Sequence, residues 1–159
     1  MIVRRLGPDD WRVWREVRLA SLADAPYAYG STLAREREFD EATWRARLAP
    51  DNGMTAVAVS GPDTVGAIGA YTPGTGQVQL IAAWVAPTLR GQGVGDALVA
   101  EVLAWAREHG HDRVELRVAD GNDAARKLFL RNGFSPTGER EPLESDPTVG
   151  TEYLVRTLS

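Results

Sequence analysis

The order of pattern changes along the chain predicts a mixed α/β domain. It has a central, mostly antiparallel sheet of six or seven strands, with about four helices on both faces. Two observations carry this. Three strand-like runs follow one another between residues 55 and 86, which favours antiparallel pairing. Strand and helix patterns then alternate from residue 78 to residue 135, and a strand–helix–strand connection within one sheet needs a parallel pair.

Residues 2–6 alternate as a short strand. Gly7-Pro8-Asp9-Asp10 reads as a helix start, with Pro and two acids where the helix dipole favours them. Trp14, Val17, Ser21 and Leu22 fall on one helical face, and Ala25-Pro26 stops that helix. After a turn-prone stretch over residues 26–31, a charged helix is predicted over residues 33–48, with Phe39, Trp44 and Leu48 on its buried side. Asp51-Asn52-Gly53 is a turn signal. Strands follow at 55–60, 64–71 and 78–86, the first two joined by a hairpin at Gly61-Pro62-Asp63 and the third preceded by a loop over residues 73–76.

A helix over 93–109 carries Val94, Leu98, Val102 and Trp105 at helical spacing and ends at Gly110. Residues 113–118 form a strand. Residues 122–132 form a helix with Asn122 as N-cap and Gly133 as stop. Phe134-Ser135 opens another strand and residues 152–158 form the last. Residues 137–150, rich in Pro, Glu and Gly, read as a loop.

With 159 residues, 43% hydrophobic and 25% charged, residues 1–159 fit one domain with a real core. Lys and Arg number 18 against 22 Asp and Glu, a net charge of −4, which lacks the footprint of a nucleic-acid binder. The absence of cysteine excludes disulfides, thiolate metal sites and a Cys nucleophile. His109 and His111 alone give a zinc site or a Ser-His-Asp triad little to draw on, so no metal is expected. The longest apolar run, residues 80–86, is far short of a membrane span. The N-terminus lacks the apolar region of an export signal, and a cytoplasmic protein is expected. A homodimer through residues 137–150 or the last strand is left open.

The chemistry is concentrated in Val85-Ala-Pro-Thr-Leu-Arg90-Gly-Gln-Gly-Val-Gly95-Asp96. A strand stops at a proline, passes a glycine-rich turn and enters an amphipathic helix whose first N–H groups are unpaired. That arrangement binds phosphate or pyrophosphate, and Arg90 adds a cation. No Lys-Ser or Lys-Thr follows, as a P-loop requires, and Gly91, Gly93 and Gly95 miss the last spacing of a dinucleotide-binding fingerprint.

Arg90-Gly-Gln-Gly-Val-Gly95 resembles the acetyl-CoA pyrophosphate loop, [QR]-x-x-G-x-[GA], of the GNAT superfamily of N-acetyltransferases, including the preceding V-x-P. Asn122, Ala125, Leu128, Phe129, Gly133 and Phe134 match that family's later motif, N-x-x-A-x-x-L-Y-x-x-x-G-F. The resemblance implies a GNAT-like fold and main-chain amides of Arg90, Gly91, Gln92, Gly93, Val94, Gly95 and Asp96 on the pyrophosphate of acetyl-CoA. It places Trp84, Val85 and Ala86 beside the pantetheine, Asn122 and Ala125 on the cofactor's other side, and Phe129 near the thioester sulfur. One of Arg126, Lys127 and Arg131 meets the nucleotide 3′-phosphate, unless all three form a solvated basic face.

The implied reaction is attack of a neutral amine on the acetyl thioester through a tetrahedral oxyanion. For an alkylamine of pKa about 10.4, deprotonation at pH 7 costs about 4.6 kcal/mol, so a proton acceptor contributes materially. The backbone amide of Val85 is the candidate oxyanion donor, with an ordinary ladder amide as the rival reading. Phe129 stands where many members carry a Tyr that protonates the departing thiolate. Tyr71 and Tyr153 are spare phenols that also suit simple packing.

No general base stands out. Gln77 and Gln79 cannot act as one, Glu115 lies on the next strand, and Glu36, Glu38, Asp40 and Glu41 read as a solvated face laced with Arg–Glu pairs. The resemblance puts Tyr27, Tyr29 and Ser31 over the acceptor amine, a primary amine of a small molecule or peptide; a merely packed loop is the alternative. An acetyl-CoA sensor without turnover and a nucleotide enzyme using the same glycine turn are the competing functions.

Overall fold

In the computed structural model, residues 1–49, 53–73 and 77–158 are described, without the Tyr27 side chain. The elements are β1 (Ile2–Arg5), α1 (Trp11–Asp24), α2 (Leu33–Arg37), α3 (Glu41–Ala46), β2 (Gly53–Ser60), β3 (Asp63–Tyr71), β4 (Val78–Val85), α4 (Val94–Glu108), β5 (Arg113–Ala119), α5 (Asp123–Arg131), β6 (Ser135–Leu143) and β7 (Asp146–Thr157). Seven strands form one sheet in the order β1-β2-β3-β4-β5-β7-β6, and β4–β5 is its parallel pair. The expected mixed sheet with helices on both faces is what forms.

Alternation assigns the faces. Val114, Leu116 and Val118 of β5 join Leu98, Val102 and Phe129 in a core under α4 and α5. On the other face Trp14, Val17, Trp44 and Leu48 pack with Val57 and Ala67 under α1 and α3. The two histidines belong to packing: His109 and His111 stack on Trp105 at 4.9 and 5.6 Å between centroids. Among the described residues no helix is long and apolar enough to cross a membrane. The predicted turn residues Asp51 and Asn52, and residues 74–76 of the predicted loop, lie outside the described residues.

Two expectations are corrected. The helix predicted over residues 33–48 is two short helices. Asp40 caps the second by accepting from Thr43 N at 2.8 Å and Thr43 Oγ1 at 2.7 Å, which interrupts the first after Arg37. The predicted loop over 137–150 is instead the hairpin of β6 and β7, paired from Ser135↔Val155 to Leu143↔Asp146. β6 is exposed along nearly all its length, so no buried face imposes period-2 alternation on its residues.

The break between α2 and α3 also corrects the reading of Glu36 as a solvated residue. It is fully buried. Its carboxylate accepts from Arg18 Nε and Nη2 at 3.0 and 3.1 Å and from Arg47 Nη1 at 2.9 Å, tying α1, α2 and the end of α3 together. Burial pushes this carboxyl up, but Arg18, the Ser31 hydroxyl and Arg47 outweigh it and hold it below the usual carboxylate range.

A depressed folded-state pKa contributes stability that is complete above the unfolded value, about 4.3, and is lost as pH falls through the lower folded value. We expect Glu36→Ala to cost about 3–5 kcal/mol at pH 7, read from urea unfolding, because it leaves Arg18 buried without its counter-ion. In Glu36→Gln, the fall in stability below about pH 4.3 should be shallower than in the parent protein.

Candidate active site

The sheet opens at its parallel pair. β4 and β5 are in register only at Val78↔Val114 and Gln79↔Glu115, and beyond them β4 continues against β3 alone. A bulge bends this free half: the register passes from Gly69↔Ile81 to Ala67↔Trp84, with Ala82 at φ 58°. Ala86 N–H donates to Val65 O at 2.8 Å. Because backbone groups alternate along a strand, Val85 turns its N–H and C=O to the opposite, open edge. Its carbonyl accepts from Arg90 Nε at 3.0 Å on that side.

Past a turn at Pro87–Leu89 the glycine segment reaches α4. Gly91 and Gly93 have φ of 78° and 85°, left-handed values that an L side chain resists. Gly93 is the N-cap of α4, and a Cβ on Gly95 would lie 2.9 Å from Leu128 Cδ2, so glycine there lets α5 close against α4. Among the described residues, the N–H groups of Gly91, Gln92, Gly93, Val94 and Gly95 have no backbone acceptor. Of these residues, Gly91, Gly93 and Gly95 line a cavity of about 340 Å3.

Trp84, Val85, Arg90, Gly91, Gly93, Gly95 and Asp96 line that cavity on one side. Asn122, Ala125 and Phe129 line it from α5, with Asn122 at the helix start but making no side-chain cap bond. Phe129 is buried edge-on against Phe134, 5.8 Å between centroids. Three predicted contacts stand apart from the lining as side chains. Val94 is in the core and Gln92 reaches back to Thr88 O at 3.4 Å, so only their main-chain N–H groups remain for a ligand, whereas the Ala86 N–H is already taken by Val65 O.

The charged neighbours are mostly paired. Arg90 Nη2 donates to Asp24 Oδ2 at 2.6 Å, and Trp84 Nε1 donates to the same oxygen at 3.0 Å. These donors, Trp84 first, hold the Asp24 carboxyl below its ordinary value. Arg131 grips Asp96 at 2.9 and 3.0 Å and Arg126 is bonded to Glu152, while Lys127 has no ion pair among the described residues and lines the cavity.

A second cavity, about 610 Å3, lies across the sheet and shares Ala28 and Tyr29 with the first. Tyr29 is buried, its hydroxyl donates to Ala83 O at 3.0 Å beside the bulge, and burial pushes its pKa up to about 12. Ser31 lines this cavity, and its buried hydroxyl is one of the groups that hold the Glu36 carboxyl below the usual range. The side chain of Tyr27, the third predicted acceptor contact, lies outside the described residues. Glu115, Tyr71 and Tyr153 also line the cavity, and the Glu115 side chain has no hydrogen bond or ion pair among the described residues. Among the described residues, no group of three or more His, Cys, Asp or Glu side chains is placed to hold a metal ion.

Sequence reasoning passed over Asp24, the bulge at Ala82, and Arg18 and Arg47, the partners of the misread Glu36. Only Arg18 carried a signal: it falls at helical spacing with Trp14, Ser21 and Leu22, an arginine on a core face.

The sequence model of the acetyltransferase (GNAT) family matches residues 14–134. N-acetyltransferase 8B of Rattus norvegicus is 38% identical over 103 residues, 62% of this chain and 46% of that protein. The mycothiol acetyltransferase of Beutenbergia cavernae is 40% identical over 131 residues, 77% of this chain and 40% of that protein. The chain thus spans less than half the length of these relatives. Among solved structures, the PaiA N-acetyltransferase of Thermoplasma acidophilum in complex with coenzyme A superposes with a TM-score of 0.78 at 14% identity, over 99% of this chain and 98% of that one. The parted strands, the free glycine-loop amides and the family match together place this chain in the acetyltransferase (GNAT) family.

Proposed function

We propose that this protein transfers the acetyl group of acetyl-CoA to a primary amine of a small molecule or peptide. The observation that carries the reading is the row of unpaired N–H groups from Gly91 to Gly95, opening on a cleft that runs to the free edge of β4. They fit a diphosphate by number, sign and access: no atom stands within 4 Å of the place a Cβ would take at Gly91 or Gly93. That another family member was solved in complex with coenzyme A supports the choice of ligand. Lys127, which lines the cleft and has no ion pair among the described residues, meets a further phosphate. Acetyl-CoA supplies an acetyl thioester to this cleft.

The residues have distinct tasks. Asp24 holds Arg90 and Trp84, which fixes the end of β4 against α1. The Val85 N–H, turned to the open edge, is the hydrogen-bond donor for the oxygen that gains charge when the amine attacks. Glu115, on the acceptor side where the strands part, takes the amine proton directly or through water as the C–N bond forms and the C–S bond breaks. Ala28, Tyr29 and Ser31 border the acceptor. A second cavity meeting the first serves a two-substrate reaction and has no use in a sensor of one ligand, which favours transfer.

Gly93→Asp and Gly93→Asn have nearly the same shape, and both residues tolerate the left-handed backbone there. Gly93→Asp should bind acetyl-CoA about 2–4 kcal/mol more weakly than Gly93→Asn in calorimetry, by repulsion in a partly screened site. Equal affinities would remove the diphosphate from this loop. Glu115→Gln should lower kcat/KM about 100-fold near pH 7, with the deficit shrinking as pH nears the amine's own pKa, about 10.4.

A further inference from the structure

Besides Met1 and Ile2 at the N-terminus, the large hydrophobic side chains left exposed among the described residues are Tyr71 and Ile81, at 39% and 46%. Both line the second cavity. Tyr71 is opposite Gln79 and Gly69 is opposite Ile81, so Tyr71 and Ile81 are diagonal neighbours on one face of the β3–β4 pair. Gln79 is in turn opposite Glu115, in the last paired rung before the sheet opens. Tyr71, Gln79 and Glu115 therefore form one row across the cavity floor, about 10 Å from end to end at the usual strand spacing. An exposed apolar patch with a polar rim marks a place of binding.

Glu115 supplies the charge on that rim. Its side chain has no hydrogen bond or ion pair among the described residues, and it lines the cavity. Arg117, two residues on and on the same face of β5, is already held by Glu141 at 3.0 Å and Glu144 at 2.6 Å. The other cations of the lining, Arg18 and Arg47, are joined to Glu36. A ligand's cation thus meets an unpaired carboxylate. A carboxylate one carbon from that cation would stand against Glu115, with every cation of the lining already paired.

The cavity is also bridged on one side. Ser145 Oγ, in the turn between β6 and β7, donates to Tyr29 O at 2.5 Å, and a Cβ on Gly30 would strike the Glu144 carboxylate. Tyr29, Gly30 and Glu144 all line the cavity, so the bridge blocks that side to a chain passing through and favours a small molecule.

We infer that the acceptor is a small arylalkylamine: one primary ammonium held by Glu115, an aromatic body lying over Ile81 and Tyr71, and no carboxylate. This rests on the acetyl-transfer reading above, and two assays separate the two claims. In the first, phenethylamine, free phenylalanine, ethylamine, putrescine and a tripeptide that begins with phenylalanine are offered with acetyl-CoA, and free CoA is measured. Phenethylamine should lead all four. It should exceed free phenylalanine and ethylamine each about 100-fold in kcat/KM, the first through repulsion at Glu115 and the second through lost apolar contact.

Tyr71→Thr and Ile81→Thr keep a strand-forming residue and remove the apolar surface. Each should cut the preference for phenethylamine over ethylamine about 10-fold, and the panel on the parent protein decides the matter if either variant does not fold. In the second assay phenethylamine is titrated by calorimetry into the protein with CoA present. Free phenylalanine, ethylamine, putrescine or the tripeptide reacting as well as phenethylamine would overturn this acceptor and leave acetyl transfer standing. Binding of phenethylamine that both variants weaken, with no acetylation of any amine, would uphold the site and overturn transfer. Neither binding nor acetylation would overturn both.

Discussion

Everything functional in this fold follows from the parting of β4 from β5 after two paired rungs. A strand inside a sheet has no free backbone groups, so a ligand cannot be read along its edge. Where β5 turns away, the far half of β4 keeps β3 on one side and faces a cleft on the other. The bulge at Ala82 then bends that half, and the alternation of the backbone aims Val85 N–H outward. The glycine turn lies just beyond the same strand end, so the strand edge and the loop amides form one continuous lining.

Such an opening weakens the sheet at its centre, and the helices compensate from both sides. α4 and α5 bury Leu98, Val102 and Phe129 against one face, and Arg131 on Asp96 joins the far end of α5 to the first turn of α4. On the other face the clamp is polar. Asp24 takes hold of Trp84 and Arg90, and Glu36 binds α1 to α3 through two arginines. A buried cluster of this kind is a poor source of net stability, because desolvation offsets most of the attraction. Its geometric effect is clearer: it holds α1, α2 and the end of α3 in one arrangement beside the second cavity.

The readability of the sequence divides along the same line. α4, its glycine loop and the α5 motif were legible because each rests on a local rule: helical spacing in Val94, Leu98 and Val102, a positive φ at Gly93, a stop at Gly133. β6 was illegible because it has no buried face to impose alternation, and its Pro and Glu residues look like those of a loop. Glu36 misled for the opposite reason. It sits in a run of alternating charges that has the composition of a solvated helix, and its burial comes from partners far along the chain, Arg18 and Arg47. The Ala82 bulge left no trace, since alanine normally avoids positive φ and the conformation is imposed by the strand's neighbours.

Tyr29 resolves the puzzle set by Phe129. It brings a phenol to the junction of the two cavities, where the proposed transfer would place a proton donor to the departing thiolate. Its proton is committed to Ala83 O, however, and burial holds its pKa at about 12. Against a thiol of about 8.5, handing over that proton is uphill by about 3.5 pH units, close to 4.8 kcal/mol. The departing sulfur is already stable as an anion near neutral pH, whereas the attacking amine is not stable as a free base. Under the proposed transfer, the chemistry therefore needs its proton acceptor on the amine side, the role proposed for Glu115, and tolerates an apolar phenylalanine on the sulfur side. Tyr29 is left to brace the bulge through Ala83 and to support Arg18 under its ring, so one uncharged side chain sets the relation between the two cavities.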